Sequence, residues 1–172
     1  MRSTAKIWRA LTVLGVAAAL TPSTAASAAA PSAAQLPAEA RVMTFAGKCL
    51  DVQRRSDANG TRVIQWACNG DYNQNFKLVP VVGKRGKWEI VTFAQKCFDV
   101  NAGSRANGAA IIEYTCTHRA NQQFKIVSRG GDWYEFQTFA GKCFDVQGRS
   151  TANRAAIVQY TCNRQPNQRF KI

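Results

Sequence analysis

The chain has 172 residues, 46% of them hydrophobic, and its 23 Lys and Arg against 10 Asp and Glu give a formal net charge of +13 at neutral pH. That length suits one domain burying roughly two-thirds of its unfolded surface and leaves no room for a second. No stretch is apolar for long enough to cross a bilayer core of about 30 Å; with His118 the sole histidine and no Cys-x-x-Cys pair, a zinc site is excluded and no cofactor is implied.

At the N-terminus, Arg2, Lys6 and Arg9 precede an apolar run from Leu11 to Leu20 and then small residues through Ala26-Ser27-Ala28. This is the pattern of a secretory signal peptide over residues 1–28, so the mature chain is expected to be secreted. Removing the three cations of that segment lowers the charge from +13 to +10. A surplus of this size favours anionic partners such as cell-surface polymers, although a solubilising surface explains it equally well. No nucleic-acid partner is expected, and a monomer is. Residues 29–40, with Pro31 and Pro37 among alanines and serines, read as a flexible leader.

Beyond the leader one stretch is written three times: Thr44 to Val52, Thr92 to Val100 and Thr138 to Val146, each built around Cys-(Leu/Phe)-Asp-Val. A fixed period of this size marks one supersecondary unit repeated, here about 41–87, 88–132 and 133–172. Each unit holds two cysteines, Cys49 and Cys68, Cys97 and Cys116, Cys143 and Cys162, always 19 positions apart. In an exported chain that identical spacing predicts three disulfides within repeats. Each closes a loop of about 20 residues and contributes roughly 3 kcal/mol in the chain-entropy model. Cys49 to Cys97 is 48 positions and Cys97 to Cys143 is 46, and the extra two fall in a surface turn between Pro80 and Lys87, which carries Gly83 and Gly86.

Within each unit the apolar segments are short and divided by turn residues, which predicts strands rather than helices. The first segment ends in Thr-Phe-Ala (Arg41 to Ala46, Trp88 to Ala94, Trp133 to Ala140), and the second is the Cys-x-Asp-Val run. Asn59-Gly60 and Asn107-Gly108 then signal hairpins. Asn153-Arg154 replaces that glycine in the third copy, giving another turn type or mild strain. The third segment runs Val63 to Cys68, Ile111 to Cys116 and Ile157 to Cys162; the fourth runs Asn73 to Leu78, Asn121 to Ile126 and Asn167 to Ile172. Three four-stranded units need one another to bury their apolar faces, and a closed all-β body with pseudo-threefold symmetry also removes exposed strand edges. The expected core is Phe45, Phe93, Phe139, Val52, Val100, Val146, Phe76, Phe124 and Phe170.

Three copies of Cys-(Leu/Phe)-Asp-Val, an aromatic-x-Cys about 17 residues later and then Asn-Gln-x-Phe resemble the ricin B-type lectin domain, a carbohydrate-binding module with Gln-x-Trp repeats, over residues 41–172. The resemblance implies a β-trefoil with one shallow sugar pocket per repeat. In that family the aspartate accepts hydrogen bonds from sugar hydroxyls, the aromatic stacks on the ring and the asparagine adds a polar contact. Carried over, the sets are Asp51, Trp66 and Asn73; Asp99, Tyr114 and Asn121; Asp145, Tyr160 and Asn167. The chemistry is sound on its own terms, because a sugar has a polar rim for a carboxylate and a C–H face for an aromatic. Two departures stand out. The Gln-x-Trp tryptophan is phenylalanine in every copy. Ile64, Ile112 and Val158 stand where galactose-binding relatives carry a glutamine, while Gln65, Glu113 and Gln159 lie one position later and hence on the opposite face.

A purely structural reading stands beside each assignment: aspartates that accept backbone N–H groups, aromatics packed in the core, asparagines that cap a turn. Gln74, Gln122 and Gln168 are expected to be structural, and His118 is expected to be a solvated loop residue with no orienting carboxylate. A glycosidase needs two carboxylates in one cleft. Asp51, Asp99 and Asp145 belong to separate repeats, so a non-catalytic lectin is expected. The competing readings are a trefoil protein-interaction module, such as a hydrolase inhibitor or the cell-binding subunit of a toxin, and a binder of anionic polymers.

Overall fold

In the computed structural model, which describes residues 36–172, the regular elements are thirteen β-strands and a few single 3-10 turns. The expected signal peptide and most of the expected leader lie outside the described residues. No helix among the described residues is long and apolar enough to cross a membrane.

The first repeat contains β1 (Glu39–Ala40), β2 (Met43–Thr44), β3 (Cys49–Val52), β4 (Thr61–Trp66) and β5 (Phe76–Pro80). The second contains β6 (Lys87–Val91), β7 (Cys97–Val100), β8 (Ile111–Tyr114) and β9 (Phe124–Ser128); the third contains β10 (Trp133–Gln137), β11 (Cys143–Val146), β12 (Ile157–Tyr160) and β13 (Phe170–Lys171). The four-strand unit is therefore present three times, with its first strand split into β1 and β2 in the first repeat. That split strand starts inside the segment read as leader. Ala40 pairs with Phe76, and the Leu78 amide donates to the Ala38 carbonyl at 2.8 Å. An Ala-rich sequence carries little strand signal of its own, and a partner distant in sequence supplies the ladder.

First and fourth strands close a ring. Each pairs within its repeat (β1 with β5, β6 with β9, β10 with β13) and with the next (β5 with β6, β9 with β10, β13 with β2). The second and third strands form hairpins, β3 with β4, β7 with β8 and β11 with β12. These hairpins meet around the same axis through β4 and β8 and through the bridges Ile64 to Ala156 and Ala110 to Val158. This is a β-trefoil with pseudo-threefold symmetry. All three disulfides form within repeats, Cys49–Cys68, Cys97–Cys116 and Cys143–Cys162.

The core differs from the expected one at three positions. Phe45, Phe93 and Phe139 are only partly buried. The Thr-Phe-Ala stretch is a turn, closed by hydrogen bonds such as Thr44 N to Lys48 O at 2.7 Å, so these rings lie against the core margin. Their places are taken by the second residue of each Cys-x-Asp-Val run, Leu50, Phe98 and Phe144, all fully buried with Phe76, Phe124 and Phe170. Phe144 packs edge-on to Phe124 with centroids 5.0 Å apart and stacks on Phe136 at 5.3 Å. Val52, Val100 and Val146 are buried as expected.

The Asn-Gly pairs do not make tight hairpins, because each second-to-third-strand loop is longer than two residues. Only the second residue of each pair has positive φ, Gly60 at 88° and Gly108 at 83°, and Arg154 adopts the same conformation at 71°. The asparagines instead join repeats: Asn153, Asn59 and Asn107 accept through Oδ1 from the amides of Ala67, Thr115 and Thr161, each at 3.0 Å.

Beneath the hairpins the third strands turn Gln65, Glu113 and Gln159 inward, all fully buried. Gln65 Nε2 donates to the carbonyls of Ser150 and Ala152, both at 2.8 Å, and Gln159 Nε2 to those of Ser104 and Ala106 at 2.8 and 2.9 Å. Glu113 occupies the equivalent place against the first repeat's turn, where Gly60 N donates to its carbonyl at 2.9 Å. Lacking an N–H, it cannot donate to the turn's carbonyls, and among the described residues its carboxyl oxygens make no hydrogen bond of good geometry, the Thr92 hydroxyl being the nearby donor. Burial raises its pKa. A carboxyl whose folded pKa lies above the unfolded value contributes stability that is complete below the unfolded pKa and is lost as pH rises through the folded one. Glu113→Gln, which restores the amide of the other two repeats, is expected to stabilise the fold by about 1 kcal/mol or more at neutral pH. Thermal melts should show Tm rising by about 3 °C or more, with the gain shrinking toward acid; an unchanged Tm at neutral pH would count against the unpaired carboxyl.

Candidate functional site

In each repeat the aspartate of the second strand lies directly across the hairpin from the apolar residue two positions before the aromatic: Asp51 from Ile64, Asp99 from Ile112, Asp145 from Val158. Strand alternation therefore puts aspartate, aliphatic floor and aromatic on one face and sends Gln65, Glu113 and Gln159 to the other. The result is three open clefts of about 250, 360 and 320 Å³ in repeats one, two and three. The first is lined by Asp51, Trp66 and Asn73, the second by Asp99, Tyr114 and Asn121, the third by Asp145, Tyr160 and Asn167. All nine residues expected to act together are brought together, three by three.

The aromatics are not core residues. Tyr114 and Tyr160 are 42% and 45% exposed and offer a ring to solvent, and Trp66 is half-buried with the Arg154 guanidinium over its ring. The aspartates are buried, and burial raises the pKa of all three above the usual aspartate range, partly offset by hydrogen bonds from neighbouring amides.

Those amides belong chiefly to Gln74, Gln122 and Gln168. Each glutamine donates through Nε2 to one aspartate oxygen, Oδ2, at 2.9 Å in all three repeats. The same Nε2 donates to the carbonyl of Ala67, Thr115 or Thr161 at 2.9 to 3.0 Å. Oε1 accepts from the backbone amide of Asn69, Thr117 or Asn163. Each glutamine is thus structural in its contacts yet positions a site residue: it fixes the carboxylate by Oδ2, and among the described residues Oδ1 accepts no hydrogen bond. The sequence signal was the Gln-x-Phe pair itself, since a fully buried amide must find partners for every polar atom.

The asparagines divide. Asn121 donates to Asp99 Oδ2 at 2.7 Å, whereas Asn73 and Asn167 donate to the carbonyls of Val52 and Val146 at 3.0 and 3.3 Å. His118 is exposed as expected, but the expectation that it lacks a carboxylate is corrected: Nδ1 lies 3.0 Å from Glu89 on β6, a strand remote in sequence. Asp71 shares the first cleft with Asp51 and is bound by Arg55 and by Asn69. The sequence also gave no notice that Arg54, Arg55 and Arg154 line that cleft, because the last comes from another repeat. Among the described residues no group of three or more His, Cys, Asp or Glu is placed to hold a metal ion.

Comparison with known proteins gives a match of residues 39–170 to the model of the ricin-type beta-trefoil lectin domain. Comparison with curated proteins finds no match. Among solved structures, the chain is similar to the designed threefold-symmetric protein ThreeFoil (30% identity, TM-score 0.75, covering 78% of this chain and 97% of that one). It is also similar to an exo-beta-1,3-galactanase from Clostridium thermocellum (30% identity, TM-score 0.74, covering 80% of this chain but 30% of that one). A third, the hemolytic lectin CEL-III, shares 25% identity with a TM-score of 0.64, covering 77% of this chain and 29% of that one.

The role of the glutamine can be tested within one molecule. Gln122→Met keeps side-chain volume but removes the donor to Asp99, so the Asp99 pKa is expected to rise above those of Asp51 and Asp145, as read by carboxyl carbon NMR titration. Stability should fall by roughly 1–3 kcal/mol as backbone groups lose their partner. An Asp99 titration that does not move would show that the glutamine has no hold on the carboxylate.

Proposed function

The chain belongs to the family of ricin-type beta-trefoil lectin domains, and from that premise we propose that it is a secreted, non-catalytic carbohydrate-binding protein that grips a glycan through up to three clefts. The observation that carries this reading is the same in every repeat: an aspartate with Oδ2 held by a buried glutamine, in one cleft with an aromatic side chain. Such a carboxylate accepts from a sugar hydroxyl in a charge-assisted hydrogen bond, and the aromatic covers the C–H face of the ring. Because the glutamine sets the carboxylate before the ligand arrives, little side-chain ordering remains to oppose binding.

Shallow clefts bind a single sugar weakly, and three on one rigid body raise the affinity for a polymer through effective concentration. The signal-peptide pattern supports secretion. The non-catalytic reading is supported by the contacts of the acid that accompanies Asp51 in the first cleft: Asp71 is tied to the Arg55 guanidinium and to Asn69.

Glycan-array and polysaccharide-pulldown binding are expected to vanish in the Asp51→Ala/Asp99→Ala/Asp145→Ala protein while its circular dichroism stays native. Single variants should each weaken binding to a polymer by roughly tenfold and change binding to a monosaccharide far less. A triple variant that binds every glycan as before would end the proposal.

Binding requires ionised aspartates, and their folded pKa values are raised. Affinity should therefore be full at neutral pH and be lost on acidification at a pH above the usual aspartate value of about 3.9. Isothermal titration across that range would read the midpoint.

A further inference from the structure

The three clefts share a plan but not a charge. The turn after the second strand holds two consecutive residues at positive φ in every repeat: Arg54 and Arg55 at 60° and 55°, Ala102 and Gly103 at 55° and 59°, Gly148 and Arg149 at 66° and 53°. At the turn of the third repeat Arg154 takes the left-handed conformation that Gly60 and Gly108 hold elsewhere. Left-handed backbone costs a non-glycine residue roughly 1–2 kcal/mol. In the first cleft alone three such positions are arginine, and all three side chains line it. Three arginines gathered at one cleft, where the second repeat uses alanine and glycine and the third a single arginine, Arg149, point to a role for the side chains.

Their partners narrow that role. Arg55 is neutralised by Asp71. Arg54 and Arg154 have no carboxylate partner among the described residues, and the Arg154 guanidinium lies over the Trp66 ring, 5.5 Å from its centroid. Three guanidinium groups against Asp51 and Asp71 leave the first cleft at +1; Arg119 against Asp99 and Arg149 against Asp145 leave the other two neutral. A sugar ring stacking on the face that Arg154 covers must displace the guanidinium. A neutral ring returns only single hydrogen bonds to its hydroxyls for that lost contact, whereas a ring bearing a carboxylate accepts the paired N–H donors of the arginine fork in charge-assisted bonds.

We propose that the first cleft is a subsite for a carboxylate-bearing saccharide residue, with Arg154 and Arg54 selecting the acid and Asp51 holding a hydroxyl, while the second and third clefts take neutral residues. This rests on the carbohydrate-binding reading above. The ligand it describes is a glycan in which uronic or other sugar-acid units accompany neutral ones.

The test uses Asp99→Ala/Asp145→Ala, which leaves the first cleft working, beside the unaltered protein. The probes are oligogalacturonate and oligoglucuronate, each paired with its carboxyl-reduced neutral form, followed by isothermal titration at constant salt. The double variant is expected to bind at least one acidic oligomer tenfold or more tightly than its neutral counterpart. Adding Arg154→Gly, the residue of the other two turns, should cut that preference below threefold without lowering Tm. Lys77→Gln, which removes one charge outside the clefts, should leave it intact. Equal binding of acid and neutral forms by the double variant overturns the proposal and leaves the lectin reading standing. So does a preference that survives Arg154→Gly or falls equally with Lys77→Gln, the mark of general attraction to a basic protein. Absence of binding to all four probes by the double variant overturns it too; if the unaltered protein also fails on a broad glycan array, the lectin reading falls with it.

Discussion

The hydrogen bond from a buried glutamine amide to an aspartate oxygen, 2.9 Å long in each repeat, is the contact on which the rest of the site depends. It joins the segment after the third strand to the second strand, on the far side of the hairpin. The glutamine's other bonds reach the carbonyl just before the second cysteine and the amide just after it. One side chain thereby ties the disulfide region, the turn before the fourth strand and the carboxylate into a unit with every polar atom engaged. A buried amide left half-satisfied would cost about as much as the bonds contribute, so the arrangement is held as a whole. Two residues further on, Phe76, Phe124 and Phe170 anchor the same segment in the core. The Gln-x-Phe tripeptide is a hinge pin between packing and chemistry, with one end in each.

Because the chain carries three copies of one plan, each departure can be read against two internal controls. Gln65 and Gln159 show what the inward position of the third strand needs, an amide donor to two carbonyls, and Glu113 lacks it. Gly60 and Gly108 show what the turn needs, a residue at ease with positive φ, and Arg154 resists it. Both substitutions work against the stability of the fold. At Glu113 burial outweighs what Thr92 and Lys96 offer the carboxylate. At Arg154 the side chain reaches the Trp66 ring in a cleft, which is where strain is retained for use rather than tolerated by default.

The fold and the site were legible in the sequence to different depths. Repetition, cysteine spacing and short apolar segments were enough for a closed threefold β body, because those features constrain the whole chain at once. The nine cleft residues came from the family resemblance, carried over position by position, and strand alternation separated Ile64, Ile112 and Val158 from Gln65, Glu113 and Gln159 on the opposite face. Misreadings came where a local pattern was ambiguous. Thr-Phe-Ala has strand chemistry, yet the backbone turns there and its phenylalanines reach only the core margin. Asn-Gly suggested tight hairpins, but the asparagine is spent on a neighbouring repeat. His118 with Glu89, and Arg154 with Trp66, join residues far apart in the chain, and no spacing rule reports such pairs.

The asparagine contacts explain why the clefts belong to the closed ring and not to single repeats. Each cleft's aromatic is followed by a residue whose amide is held by an asparagine from a different repeat: Ala67 by Asn153, Thr115 by Asn59, Thr161 by Asn107. The third strand is pinned at its end by a neighbouring turn, and in two of the three cases the same turn's next residue, Gly108 or Arg154, lines that neighbour's cleft. The position after the asparagine is therefore free to alter the next cleft without touching its own. Glycine there leaves a cleft open; arginine there puts a charge into it. A repeat fold of this kind can give one of its three sites a different preference by a single residue in another repeat, at the cost of strain in a surface turn, while the core and the glutamine-held carboxylate stay as they are.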